Sequence, residues 1–344
     1  MARSSTTYPK RWNSPKTTVI RVPAVIADDL LHIARRIDTN GGFRLREESN
    51  TLVLELASAN RVSYGADRPI NVSSVPQRSP FRYPGGKTWL VPYIRDWLRS
   101  KYKQPNRLIE PFAGGAIVSL TAGFEGLARH VIFSELDSDV AAVWRVVLNG
   151  QSDWLASRIL NFELSEQSAR ECLQGRSNEL RDKAFRCILR NRVQRGGIMA
   201  WGAGLVKTGE NGRGISSRWY PETLARRIRE INSLKDRFSF VEGDGFDLIR
   251  EHQADEDTAF YVDPPYMKAA RRLYSAWHVD HHRLFQQMSK CKGDFLMSYD
   301  NTVEVVALAE KFGFEHKAIA MKSTHHAKMT ELLIGRNLAW LEPT

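Results

Sequence analysis

From about residue 81 onward, short apolar runs alternate with stretches whose apolar positions recur every three or four residues. NRLIEPF (106–112), HVIFSEL (130–136), FSFVEGD (238–244), TAFYVDPPY (258–266) and DFLMSYDN (294–301) predict strands. AIVSLTAGF, SDVAAVWRVVL, FDLIREHQ and TVEVVALAEKFG predict the helices between or after them. Such alternation calls for a parallel sheet wrapped by helices. FEHKAIAM and MTELLIGRN, near the C-terminus, have no helix between them and predict an antiparallel edge pair. The expected fold class is α/β, a doubly wound mixed sheet of seven strands.

Two regions depart from this rhythm. Residues 151–239 begin with helical segments and then turn glycine-rich (RGGIMAWGAGLVKTGENGRG), which predicts a mainly helical insert with a basic surface. The other is residues 1–80, an extension of unassigned role. Its first 18 residues are polar and basic, TTVIRVP alternates like a strand, and a helix is expected to open at Asp28–Asp29 with Leu30, Ile33, Ala34 and Ile37 on one face. TLVLELA is a second apolar run, and residues 58–80 read as a linker. The strand-then-helix order superficially resembles ribbon-helix-helix DNA-binding proteins, and a small accessory or dimerising element fits it as well. The segments expected are therefore 1–80, 81–150, the insert 151–239, and 240–344.

The formal charge of +11 favours a polyanionic partner, because neutralising phosphates releases their condensed counterions. Within residues 186–230 there are ten Lys and Arg against three Asp and Glu, which concentrates the excess in the insert. Three cysteines without a C-x-x-C spacing suit neither a disulfide framework nor a zinc site. No metal is expected, and His281–His282 after Asp280 reads as a capped first helical turn. No apolar run approaches the ~20 residues of a membrane span, and the N-terminus lacks a secretory core, so the expected compartment is the cytoplasm.

Four motifs carry chemistry. EPFAGGA (110–116) places paired glycines at a strand-to-helix turn, where a ligand approaches backbone and helix N-terminus closely. Glu135 ends the next strand about 20 positions beyond Gly114, where doubly wound folds hold a ribose diol. The turn lacks a phosphate-binding Lys-Ser/Thr pair, so a nucleoside without phosphates suits it. DPPY (263–266) follows the strand TAFYV. A carboxylate (Asp263) and the carbonyl of Pro264, held outward by Pro264 and Pro265, can accept the hydrogens of a poorly nucleophilic aromatic amine. Tyr266 can stack on a base that has left its duplex. FRYPGGK (81–87) offers Tyr83 and Lys87 beside a flexible glycine turn. Ser298–Tyr299–Asp300 ends a strand near the same site, and Trp201, Trp219 and Tyr220 lie among arginines, as stacking platforms or as core.

FRYPGGK, EPFAGGA, SELD, EGDGFD and DPPY, in that order, resemble the DNA adenine methylase (Dam-like, D12) family over residues 80–344. The resemblance implies a Rossmann-like methyltransferase fold and S-adenosylmethionine as cofactor. It implies methylation of adenine N6 in double-stranded DNA, with a cytosine N4, RNA or protein-amide acceptor, or an inactive DNA-binding protein, as alternatives. By the same resemblance Tyr83 and Lys87 serve the cofactor's methionine end, Glu135 its ribose and Asp244 its adenine, with Phe112 and Gly114 in the turn. Asp263 stands between donor and target base. The insert resembles the family's recognition element, which makes Arg192, Arg195, Lys207, Arg213 and Arg218 the expected DNA contacts. Two departures are visible: Glu135 stands where many members have Asp, and residues 1–80 have no counterpart in compact members.

Overall fold

A computed structural model describes residues 43–48, 51–56, 75–82, 86–197, 204–209, 212–266, 279–322 and 328–341. They fall into two units, one within residues 1–64 and one within 65–342. In the first, β1 (Phe43–Glu48) pairs antiparallel with β2 (Thr51–Leu56), in register from Phe43↔Leu56 to Glu48↔Thr51. TLVLELA is thus a strand. Its partner FRLREE escaped the sequence reading because only two of its six positions are apolar. The strand expected at TTVIRVP and the helix at Asp28 lie outside the described residues.

The second unit carries β3 (Arg107–Glu110), β4 (His130–Glu135), β5 (Phe238–Glu242), β6 (Thr258–Val262), β7 (Asp294–Asp300), β8 (Glu315–Lys322) and β9 (Lys328–Gly335). Their order in one sheet is β5-β4-β3-β6-β7-β9-β8. The first five in chain order are mutually parallel, and β9 runs antiparallel to both β7 and β8. The expected mixed seven-stranded doubly wound sheet is therefore the one observed, antiparallel pair included. All five positions of β6 are buried, as a central strand covered on both faces requires.

Successive strand residues face opposite sides. On one side Ile109, Ile132, Phe260, Val262, Phe295, Met297, Leu332 and Ile334 form a core with α8 (Gly245–His252), α9 (His281–Lys290) and α10 (Val303–Lys311). The other side packs against α1 (Val91–Arg99), α2 (Ile117–Glu125) and α3 (Ser138–Leu148), with Phe133 and Trp144 edge to face at 5.2 Å. The insert contributes α4 (Ser152–Leu160), α5 (Glu166–Gln174), α6 (Leu180–Val193) and α7 (Pro221–Ser233). It is mainly helical, as expected, and the sheet resumes at Phe238.

Sheet order reverses between β3 and β6, since the chain goes outward from β3 through β4 to β5 and returns to β6 on the other side. The crevice at the carboxyl ends of these two strands is where open α/β sheets bind ligands. EPFAGGA follows β3 and DPPY follows β6, so the fold brings both motifs to that crevice.

Candidate active site

The turn after β3 is held by two carboxylates. Glu110, buried at the end of β3, accepts the Ser119 N–H at 2.8 Å. Ser119 lies in the first turn of α2, whose own N-cap is Ala116, a left-handed residue (φ 50°) without a capping side chain. Glu110 thus supplies the acceptor that the helix N-terminus lacks. Burial, only partly offset by the Ser119 bond and reinforced by Asp263, pushes its carboxyl up to about 8. Glu135 accepts the Gly114 N–H at 3.0 Å and its own turn's Asp137 N–H at 2.8 Å. Burial raises it to about 7 against those bonds. Gly114 has φ 48°, which favours glycine, and its carbonyl accepts the Trp144 indole N–H at 3.0 Å.

Asp244 caps α8 by accepting the Phe246 N–H at 2.9 Å. Phe246 packs edge to face on Phe112 at 6.1 Å. A Cβ on Gly245 would lie 2.4 Å from the Pro111 carbonyl oxygen. The start of α8 and the turn after β3 therefore touch backbone to side-chain position, and Gly245→Ala is expected to prise them apart. The cost should be about 1–3 kcal/mol of stability with weaker cofactor binding, measured by denaturant titration and calorimetry. Leu136, beside Glu135, is 57% exposed. An apolar side chain left uncovered next to a strand-end acid suits a heterocycle's face, and none of the sequence motifs assigns it a role.

Across the switch point lies a buried charge network. Lys87 Nζ is 2.9 Å from both Asp263 Oδ1 and Glu331 Oε1, and it donates to Tyr266 Oη at 2.6 Å. Tyr266 donates to Asp263 Oδ1 at 3.2 Å and also bonds Glu331 Oε1. Ser298 donates to Asp263 Oδ1 at 3.0 Å and meets Tyr261 Oη at 2.9 Å. Burial alone would lower the Lys87 ammonium's pKa, but the charges of Asp263 and Glu331 outweigh it and hold the group protonated. Burial raises Glu331 despite Lys87, and burial with Asp263 and Glu331 raises Tyr266, which keeps the phenol a donor. Among the described residues, all these bonds to Asp263 fall on Oδ1. Glu331 Oε2 is buried without a hydrogen-bond partner among the described residues.

Of the residues expected in the site, the structure thus gathers Lys87, Asp263 and Tyr266 in one cluster, and Phe112, Gly114, Glu135 and Asp244 around the turn after β3. Pro264 is buried and Pro265 half-buried beside Asp263. Tyr83 and Trp201 lie outside the described residues. Ser298 is fully buried and supports Asp263, while Tyr299 lies parallel to Tyr266 (centroids 6.0 Å apart, 19°). Glu331 was missed: its only sequence signal is an acid inside the apolar run MTELLIG. Asp280 caps α9 through Arg283, as expected for a first turn at His281–His282.

In the insert, Arg195, Lys207 and Arg213 are exposed and Arg218 half-buried. Arg192 differs from the expected DNA contact. It is 5% exposed and donates to the Pro80 carbonyl, so its guanidinium is committed to the protein's own backbone. Trp219 is core, 5.9 Å from Phe162, whereas Tyr220 stays exposed with the Arg213 guanidinium 5.7 Å from its ring.

A sheet of this order with a glycine turn, a strand-end acid and the Asp263 carboxylate at its switch point, in a chain matching a methyltransferase family, defines a Rossmann-like, S-adenosylmethionine-dependent methyltransferase. The residue set fits that cofactor: a carboxylate for ribose hydroxyls, an exposed leucine beside it, and a buried ammonium that would turn one of its three present bonds, to Asp263, Glu331 and Tyr266, toward a carboxylate. Residues 83–323 match the D12 class N6 adenine-specific DNA methyltransferase family, and the chain belongs to it. No curated protein matches. Among solved structures, a putative RNA methyltransferase from Pyrococcus horikoshii is similar at 10% identity and TM-score 0.35, over 80% of this chain and 94% of that one. The rRNA methyltransferase AviRa from Streptomyces viridochromogenes is similar at 14% identity and TM-score 0.35, over 81% and 98%. An O-methyltransferase from Thermotoga maritima is similar at 10% identity and TM-score 0.31, over 89% and 80%. The fold assignment stands on the strand order rather than on these distant likenesses. Among the described residues, no helix is long and apolar enough to cross a membrane.

The raised carboxyls have a pH consequence. The folded chain keeps Glu135 and Glu110 protonated above their ordinary 4.5, so it binds more protons than the unfolded chain up to about 7 and about 8. Their contribution to stability is full below 4.5 and is lost as pH rises through those values. With Glu135 as the acceptor for ribose hydroxyls, as the family resemblance implies, cofactor affinity is expected to rise with pH and level off above about 7. In Glu135→Gln it should be weak and flat across this range, as calorimetric titration from pH 6 to 8 would show.

Proposed function

We propose that this enzyme methylates the N6 amine of an adenine rotated out of double-stranded DNA. The observation that carries this reading is Asp263, fixed through Oδ1 by Lys87, Tyr266 and Ser298, with Oδ2 left to accept a substrate hydrogen. An aromatic amine is a weak nucleophile because its lone pair is delocalised. Asp263 accepts one of its hydrogens and the Pro264 carbonyl the other, which favours a more tetrahedral nitrogen. S-adenosylmethionine, when bound, supplies an electrophilic methyl on a sulfonium, and the protein's task is alignment. Lys87 holds the methionine carboxylate together with Tyr83. Glu135 holds the ribose, and Asp244 with Phe112 borders the adenine. A base stacked on Tyr266 adds to the Tyr266–Tyr299 pair already in place, which offsets part of the few kcal/mol that extrusion costs.

Arg195, Lys207 and Arg213, exposed on the insert, are placed to meet phosphates, with Tyr220 beside Arg213. Arg218 serves the same surface from its half-buried position. The test is incubation with labelled S-adenosylmethionine and mixed-sequence duplex DNA, followed by nucleoside chromatography. Label in N6-methyldeoxyadenosine supports the reading. Label in N4-methyldeoxycytidine overturns the choice of base, and unlabelled DNA with intact cofactor binding overturns DNA as acceptor.

A further inference from the structure

Arg190, Asn191 and Arg192 are consecutive residues of α6, and all three are buried, at 8%, 0% and 5% exposure. Successive helical positions point about 100° apart, so burying three polar residues in a row means this helix is enclosed around most of its circumference. Arg190 reaches the donor half of the enzyme, and Asn191 and Arg192 reach the segment that leads into it. Arg190 Nη1 pairs with Asp139 Oδ2 at 2.6 Å, at the start of α3 just beyond Glu135. Asn191 accepts the Arg82 N–H at 2.8 Å and returns its amide N–H to the Arg82 carbonyl at 2.7 Å, as a neighbouring strand would. The same amide donates to the Gly197 carbonyl at 3.1 Å. Gly197 has φ +71°, and a Cβ there would lie 2.7 Å from the Arg82 carbonyl oxygen. Arg192 donates to the Pro80 carbonyl, and Arg227 of α7 donates to that of Ser79 at 3.0 Å.

Residues 79–82 are thus a strap whose backbone is paired by side chains of the insert. The strap leads into Lys87, and its Phe81 packs 5.6 Å from Trp144, the residue that holds the Gly114 carbonyl. Immediately after α6, Gln194 bridges to Leu205, and Arg195 begins the exposed basic surface. One helix therefore joins the surface assigned to DNA with the two loops assigned to the cofactor.

We infer that Arg190, Asn191 and Arg192 are positioning residues for the S-adenosylmethionine site, and that through them DNA on the insert and cofactor in the donor site strengthen each other's binding. The inference rests on the reading of the insert as the DNA-binding surface. Coupling of this kind is reciprocal, so one factor measured from either ligand describes it.

The test uses the full chain, S-adenosylmethionine and a 30-base-pair mixed-sequence duplex. Asn191→Asp keeps an acceptor for the Arg82 N–H but sets a carboxylate oxygen against the Arg82 and Gly197 carbonyls. It should weaken cofactor binding by about tenfold and abolish the cofactor-induced tightening of duplex binding. Ile188→Val, buried in the same helix, controls for general loosening and should leave both readings within about twofold of the wild type. Arg192→Lys gives the same expectation if Asn191→Asp fails to fold. Wild-type cofactor affinity in both strap variants, or equal weakening in Ile188→Val, overturns the positioning role. Duplex binding by the wild type that ignores the cofactor overturns the coupling. A wild type that binds no duplex removes the DNA reading and the coupling with it, while the cofactor titration still judges the strap.

Discussion

Replacing Asp263 with alanine is expected to lower the single-turnover methylation rate by about 10²- to 10⁴-fold while leaving duplex binding nearly unchanged. In the proposed reaction the carboxylate accepts an amine hydrogen only as the nitrogen becomes nucleophilic, so its loss is expected to fall on the chemical step. Folding should tolerate the change. Lys87 retains Glu331 at 2.9 Å, so the buried ammonium is not left without an anion. Asp263→Asn keeps an oxygen on Oδ1's side and removes the charge, and an intermediate rate is expected. Turnover within tenfold of the wild type in the alanine variant would remove Asp263 from the mechanism.

Lys87→Met has the largest expected effect on stability. It leaves the side chains of Asp263 and Glu331, 22% and 5% exposed, facing each other without a cation. Breaking a buried pair from one side costs about 3–5 kcal/mol, because the remaining charge is uncompensated. In a domain of this size that is on the order of 10 °C in Tm. The sign of the pH dependence follows from Glu331, whose carboxyl burial already raises. Without Lys87 it rises further, and the folded state takes up a proton that the unfolded state releases. The deficit should therefore be small near pH 5 and widen toward pH 8. Thermal melts at both pH values check this, and adding Glu331→Gln to Lys87→Met should recover part of the loss. A deficit independent of pH would mean that Lys87 acts by packing its aliphatic stem rather than by its charge.

Periodicity and local chemistry determined much of this protein. Every strand of the large sheet was legible, because central parallel strands read as apolar runs and their helices as 3.6-residue patterns. The antiparallel end of the sheet followed from the missing crossover helix. The motifs at strand ends marked Gly114, Glu135 and Asp263, since ligands gather where parallel strands finish. β1 was not legible, because its charged residues obscure the alternation on which strand reading depends.

What only the tertiary structure decided concerns partners far apart in the chain. Glu331 meets Lys87 across 244 positions because β9 pairs with β7, which sets Asp300 opposite Glu331 and brings Ser298, Asp300 and Glu331 to the face that carries Asp263. A one-residue slip in that register would turn Glu331 to the opposite side of the sheet. Arg192 likewise had the sequence character of a phosphate contact, yet it is buried against the Pro80 carbonyl, 112 positions away. Composition shows how many charges a segment carries. Packing decides which of them face water and which must be neutralised within, because only burial makes an unpaired charge costly.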